Sequence, residues 1–453
     1  MLYTQNPLNG QPLAEYPTLN KAEVDASLNA SNRAFLKWRT TSFEQRGEVL
    51  KAVAAVLRSR KAELAKLMAE EMGKPIKEGG PEVEKAAWCA EHYAEHAQAY
   101  LASETIESDA SSSYVNYQPL GSILGILPWN APLWLAFRFM APTLMAGNTC
   151  LMKHDPGVSG CAKAIMDAFK SAGAPDNIVV NLPLANKEVA DVIRDRRVSG
   201  VSFTGSSATG ATVASTASSV IKPCVLELGG SDPCIVLKDA DLEAAADTAT
   251  LSRIINAGQS CIAAKRIIVE SQVYDQFCQM LEKRLAKLKL GDPLDPSTDV
   301  GPLARKDLQS NLHRQVCESL EQGAHCRLGG SLPDEAGYFY PVTLLVDVKS
   351  NMTVFNEETF GPVMCVSKAD DPEHALQLAN QTVYGLGAAI WTNNETLINM
   401  FIEQLESGQV AVNGIVKTDP RLPSGGIKRS GIGRELGPHG IKEFVNCKQV
   451  WIK

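Results

Sequence analysis

The spacing of apolar and polar positions divides the chain into a helical first quarter and a mixed remainder. From Lys21 to about Leu101, apolar residues recur at three- and four-residue intervals, first through ASLNASNRAFLKW and then through RGEVLKAVAAVLRSRKAELAKLMAEEMG. This predicts packing helices closed at Gly73-Lys74-Pro75. Ser113 to Gln118 alternates as an exposed strand does, and GSILGILPWN reads as an apolar strand that ends in a turn before the helix LWLAFRFMAPTL. Short strands and helices then alternate: TCLMKH, a helix through CAKAIMDAFKSAG, NIVVNLP, a helix through KEVADVIRD, VSGVSFTG and a helix from Ser207. That alternation predicts an α/β fold with a parallel sheet and crossover helices, the architecture of dinucleotide-binding domains. After CVLELGGSDPCIVL a second series of strands and helices begins, so a boundary is expected near Leu228 to Ser231, at the double glycine.

Composition narrows the class. At 453 residues the chain exceeds the roughly 100 to 200 residues of one domain, so two or three substructures are expected. A hydrophobic fraction of 45% and a charged fraction of 21%, with no charge run, predict a chain that folds throughout. The net charge is −7 and the basic residues are scattered, which argues against nucleic acid as a partner. MLYTQNPLNGQPL has neither a basic start nor an apolar run, and no stretch approaches the ~20 apolar residues of a membrane span. A soluble cytoplasmic protein is expected. Eleven cysteines, without C-x-x-C spacing or histidines at metal-ligand intervals, predict neither a disulfide framework nor a metal site.

Four segments carry candidate chemistry. Asn256 to Cys261 approaches a cysteine through small residues and a glycine, which leaves room to present a nucleophilic thiolate at a turn, although a buried inert thiol has the same local pattern. In Val225 to Gly230 a carboxylate, Glu227, sits in an apolar strand before two glycines. Burial there raises its pKa toward that of a general base, while the alternative is a solvent-facing strand-edge glutamate. Pro128-Trp129-Asn130 ends an apolar strand, where the Asn130 amide can donate to an oxyanion or cap the next helix. Phe203 to Gly210 runs from a strand through a Gly-x-x-x-x-Gly turn into a helix whose N–H groups can face a pyrophosphate.

Taken in chain order, PWN, FTGS, LELGG, GQSC, EETFGP and GGIKRSGIGRELG resemble the aldehyde dehydrogenase superfamily, over nearly the whole chain. The resemblance implies a Rossmann-like dinucleotide-binding domain (1–101 and 119–229), an α/β catalytic domain (230–430), and a small β oligomerisation arm and tail (102–118 and 431–453). It implies Cys261 as nucleophile, Glu227 as general base, and Asn130 as oxyanion donor together with the Cys261 backbone N–H. Lys153 matches the lysine on the adenosine ribose, Glu358 the carboxylate on the nicotinamide ribose, and Phe360 a residue flanking the nicotinamide; Gly205, Ser206 and Trp129 fall near the cofactor phosphates. Glu227 argues against the coenzyme-A-acylating branch, in which the matching glutamate is absent. Where many NAD-preferring relatives carry a ribose-binding glutamate, Lys153-His154-Asp155-Pro156 places Pro156, so NADP is expected as readily as NAD, with Asp155 keeping NAD open.

The pattern, with KHxP and DPRLPSGGIKRSG, is most similar to the bacterial succinate-semialdehyde dehydrogenase branch. Arg138 lies eight residues beyond Asn130, about two helical turns on the same face. Its guanidinium either grips a distal substrate carboxylate or forms an ion pair that stabilises the helix. Thr418 adds a hydroxyl, Ser424 replaces a phenylalanine common in relatives, and Arg266 reads as a structural partner. A homodimer or homotetramer follows from the resemblance. Glutarate semialdehyde or aliphatic aldehydes stand as alternative substrates. A non-redox cysteine hydrolase would need a histidine base near the thiol, and the seven histidines lie in helices and loops such as those of His92, His96 and His374. An inactive structural relative is the remaining alternative.

Overall fold

The computed structural model describes residues 1–453 apart from Glu335. The helical first quarter forms as Lys21–Trp38, Phe43–Ser59, Lys61–Met72 and Ile76–Tyr100. Asn20 and Ser42 cap the first two through reciprocal side-chain and backbone bonds, and Gly73, at φ 78°, ends the third in the left-handed conformation that glycine adopts without a Cβ penalty. Before them, Leu2–Gln5 and Pro12–Tyr16 pair as a two-stranded ribbon. That ribbon is absent from the periodicity reading; the Asn9-Gly10 pair, with Gly10 at φ 72°, is its local signal.

Two sheets follow. In the first, Val179–Asn181, Thr149–His154, Ser122–Leu127, Val198–Thr204 and Cys224–Glu227 run parallel in that spatial order. They are apolar because helices cover both faces. Gly431–Ile432 closes the edge antiparallel to Leu226 and Glu227. The second sheet has seven strands, with Asp232–Val236, Ala264–Glu270 and Val363–Ala369 at its centre. The chain crosses from one sheet to the other between Glu227 and Asp232, through the double glycine. Gly431–Ile432 thus pairs with the first sheet, although the resemblance groups it with the tail.

A third, three-stranded sheet joins Glu104–Thr105, Ser112–Pro119 and Val445–Ile452, with eight residue pairs between the last two strands. The strand Val445–Ile452 has no neighbour on its other side within the described residues, and it is mostly exposed. All eleven cysteines are free thiols. Among the described residues no group of side chains is arranged to hold a metal ion, and no helix is long and apolar enough to cross a membrane.

Candidate active site

The loop that carries Cys261 descends from the helix Leu242–Ile254 through a turn in which Asn256, Ala257 and Gly258 are all left-handed, at φ 55°, 53° and 75°. Two of these carry a Cβ, so the turn is strained and must be held by its surroundings. Asn256 Nδ2 donates to the carbonyls of Asn130 (2.8 Å) and Gln259 (3.2 Å), and Asn256 N donates to Glu78 (2.7 Å). Gln259 is buried, with Oε1 accepting from Ala304 N at 2.9 Å. A side chain at Gly258 would meet the Gly361 carbonyl at 2.3 Å. These contacts brace the loop that carries Cys261.

Asn130 meets that loop directly, Nδ2 donating to the Gln259 carbonyl at 3.1 Å. Behind it, Lys74 Nζ donates to the Asn130 carbonyl (3.1 Å) and pairs with buried Glu82. The other Glu82 oxygen accepts from the N–H groups of Leu133 (3.0 Å) and Trp134 (3.2 Å) at the start of the helix Pro132–Met145. A carboxylate there satisfies otherwise orphaned helix donors, so Glu82 ties Lys74, Asn130 and this helix into one unit.

Burial pushes the Cys261 thiol up to about 11, against the pull of Arg138 and Lys265. Lys265, itself fully buried, donates to the carbonyls of Ser260 (2.9 Å) and Cys261 (2.7 Å) and stands 3.5 Å from Glu358. Glu227 ends the strand Cys224–Glu227 with its carboxyl buried and its pKa raised by burial, while Arg138 opposes the shift and Glu435 reinforces it. Such a carboxylate can hold or release a proton near neutral pH.

Arg138 stands in the interior, not in open space. Its guanidinium pairs with Glu435 and lies 3.5 Å from both Glu227 and Thr204 Oγ1. The ion-pair alternative is therefore present in the structure, although its partners are the candidate base and Glu435, with no partner of its own helix. Ser424 is buried and exchanges backbone hydrogen bonds with Glu435, so the segment carrying this substitution supports Arg138's partner. Thr418 is buried too, its hydroxyl accepting from Lys85 Nζ at 2.7 Å.

The remaining residues gather along the C-terminal ends of the first sheet, where open α/β sheets bind ligands. Lys153, next to last in the strand Thr149–His154, donates from Nζ to Asn186 at 2.7 Å. Asp155 accepts from Gly157 N (2.8 Å), which commits that oxygen to the turn begun by Pro156. Gly205 N donates to the Glu227 carbonyl at 3.0 Å, and Ser206, exposed, caps the helix Ser207–Ser218. Glu358 accepts from Gly230 N at 3.0 Å, and a Cβ on Gly229 would lie 2.3 Å from its carboxyl. A side chain at Gly229 would therefore displace this carboxylate. Trp129 and Phe360 meet edge to face at 5.8 Å.

Arg266 caps the helix Pro372–Asn380, donating to Leu378 and Ala379 carbonyls at 2.8 Å, in the structural role read from the sequence. Sequence reasoning missed Lys74, Glu82, Lys85, Asn256, Lys265 and Glu435. None sits in a spacing that signals chemistry; Lys265, four residues past Cys261 and fully within the strand Ala264–Glu270, is the one with a usable clue. Among the described residues the Cys–His contact is between Cys317 and His313, on the helix Lys306–Glu321, and no histidine contacts Cys261.

Comparison with known proteins identifies the family. The aldehyde dehydrogenase family model matches residues 2–450. The chain is 46% identical over 449 residues, 99% of each chain, to a probable succinate-semialdehyde dehydrogenase [NADP(+)] of Synechocystis sp.. It is 43% identical over 446 residues, 98% of this chain and 96% of the other, to a succinate semialdehyde dehydrogenase [NAD(P)+] of Escherichia coli. Among solved structures, succinic semialdehyde dehydrogenase from Streptococcus pyogenes in complex with NADP+ superposes with a TM-score of 0.97 at 34% identity, each chain covered completely. With the motifs, the strained cysteine loop and full-length matches in accord, the chain belongs to the aldehyde dehydrogenase family.

Proposed function

We propose that the protein oxidises succinate semialdehyde to succinate with NAD(P), NADP being the better fit. The observation that carries the catalytic reading is the convergence of Asn130 and Cys261 on one braced loop, with Glu227 and its counter-ion Arg138 both close enough to influence the thiol. The full-length semialdehyde dehydrogenase relatives support the substrate.

The residues present suit a dinucleotide. Lys153 and the helix N-terminus at Ser206 offer cationic and N–H donors to phosphates, Glu358 on its glycine seat offers a carboxylate to a ribose, and Trp129 with Phe360 offers apolar surface to a ring. No carboxylate stands at Pro156 to repel a 2′-phosphate, and one Asp155 oxygen is engaged by its own turn. When bound, the nicotinamide supplies the hydride acceptor.

Cys261 passes its proton to the Glu227 carboxylate, which releases it to solvent before the hydrolysis, and adds to the aldehyde carbon, placing the negative charge on the former carbonyl oxygen. The Asn130 amide and the Cys261 N–H stabilise that oxyanion. Collapse expels the aldehyde hydrogen as hydride and leaves an acyl group on the sulfur. Glu227 takes a proton from water, which attacks the thioester; carboxylic acid leaves and the thiolate returns. Cys261→Ala should abolish oxidation while NADP still binds, read by quenching of protein fluorescence; loss of cofactor binding as well would contradict the role given to Cys261.

The exposed edge of Val445–Ile452 supports assembly by strand pairing with a second copy. Molar mass in solution tests this, and a monomer would contradict it. The free thiols favour a reducing, cytoplasmic setting.

A further inference from the structure

Lys85 lies on the helix Ile76–Tyr100 and is half-buried, its Nζ 2.7 Å from Thr418 Oγ1 and 4.3 Å over the face of the Trp134 ring. It forms no ion pair among the described residues, and every carboxylate around it is engaged elsewhere. Glu82 is bound to Lys74 and to the helix donors, Asp419 is held at 2.6 Å by Arg421, and Glu227 and Glu435 flank Arg138. A desolvated ammonium stacked on an indole, satisfied only by a hydroxyl and placed near a second cation, makes a site that lacks one negative charge.

We propose that Lys85, together with the Thr418 hydroxyl, is the specificity-determining cation that receives the distal carboxylate of a short ω-carboxy aldehyde. This rests on the substrate reading above and deepens it. Arg138, whose charge reaches Lys85, is committed to Glu435 and Glu227. Lys85 has no such commitment, so a carboxylate can approach it without breaking an existing ion pair. A neutral aldehyde would leave it uncompensated, which turns an unpaired charge into discrimination between substrates.

The charged and titratable groups that face Lys85 are Glu82 and the Cys89 thiol of its own helix, Arg138 of the helix Pro132–Met145, and Asp419 of the loop after Asn413. Burial, then Arg138, lowers the Lys85 pKa to about 8. The ammonium is therefore present below that pH and lost above it, and selectivity for a carboxylated substrate falls as pH rises through about 8.

The test compares kcat/KM for succinate semialdehyde and for butanal in the wild-type enzyme, Lys85→Met and Lys85→Arg, at saturating NADP and across pH 6.5 to 9.5. The semialdehyde-to-butanal ratio is expected to fall at least ~10-fold in Lys85→Met, equivalent to about 1.4 kcal/mol. The loss should appear mainly in KM, with partial recovery in Lys85→Arg, and the alkaline decline of the ratio should vanish in Lys85→Met. Inhibition of butanal oxidation by succinate reads the same site without semialdehyde turnover and should weaken in parallel; Lys85→Gln serves if the Met variant folds poorly. A wild-type preference that survives Lys85→Met overturns the role of Lys85 and leaves the substrate reading standing. A wild-type enzyme with no preference overturns both.

Discussion

The guanidinium of Arg138 lies 3.5 Å from the carboxylate of Glu227, with the two side chains only 3% and 4% exposed. The same guanidinium also pairs with Glu435, so one buried cation is shared between two carboxylates. The protonation of the candidate base is set by this trio. Burial and Glu435 push Glu227 upward, and Arg138 pulls it down.

Because the base acts only when deprotonated, thioester hydrolysis should rise with pH through a pKa well above that of an ordinary glutamate. Arg138→Met removes the opposing charge and should move that limb further alkaline, by on the order of one pH unit. Glu435→Gln removes a like charge and frees Arg138 for Glu227, so it should move the limb toward acid. The pH profile of the steady-state rate checks both. Shifts of the same sign in the two variants would contradict the assignment. Glu227→Gln should give one burst of reduced cofactor and then stall, in rapid-mixing measurements.

Asn130→Ala should lower kcat by about 10² to 10³-fold, the usual effect of removing one oxyanion donor. Lys74→Met leaves the amide in place but strips its carbonyl of one brace and Glu82 of its partner. A smaller loss of kcat with a lowered Tm is expected, since a buried ion pair broken on one side leaves an uncompensated charge. Activity lost to the same extent in both variants, with no change in Tm, would assign Lys74 to the chemistry.

Pro156→Glu places a carboxylate just past the strand Thr149–His154, beside Lys153. Like-charge repulsion should lower kcat/KM for NADP by roughly tenfold or more. NAD should be affected less or improved, because its 2′-hydroxyl can donate to the new group. Equal losses with both cofactors would place the 2′ position elsewhere.

The strands and helices were legible because their apolar spacing is dictated by burial, and the double glycine marks the crossing between sheets because Glu358 packs on it. Cys261, Glu227 and Asn130 were legible because each lies in a compact local motif. What supports them was not. Lys74 and Asn130 are 56 residues apart, Asn256 and Asn130 are 126 apart, and such pairings depend on how helices dock. Arg138 shows the limit most clearly. Its helical spacing from Asn130 gives its direction, but Glu435, far along the chain and joined to Ser424 by backbone bonds, decides how the guanidinium is engaged. Lys85 carries no sequence signal, because a lysine on a long helix ordinarily faces water.

The proposed activity of this site is the oxidation of an aldehyde bearing a distal carboxylate. Its most direct test is the initial rate of reduced-nicotinamide formation by purified enzyme with succinate semialdehyde and with butanal, each with NADP and with NAD. A kcat/KM for the semialdehyde at least ~10-fold above that for butanal, and higher with NADP than with NAD, is expected. Equal values for the two aldehydes would contradict it.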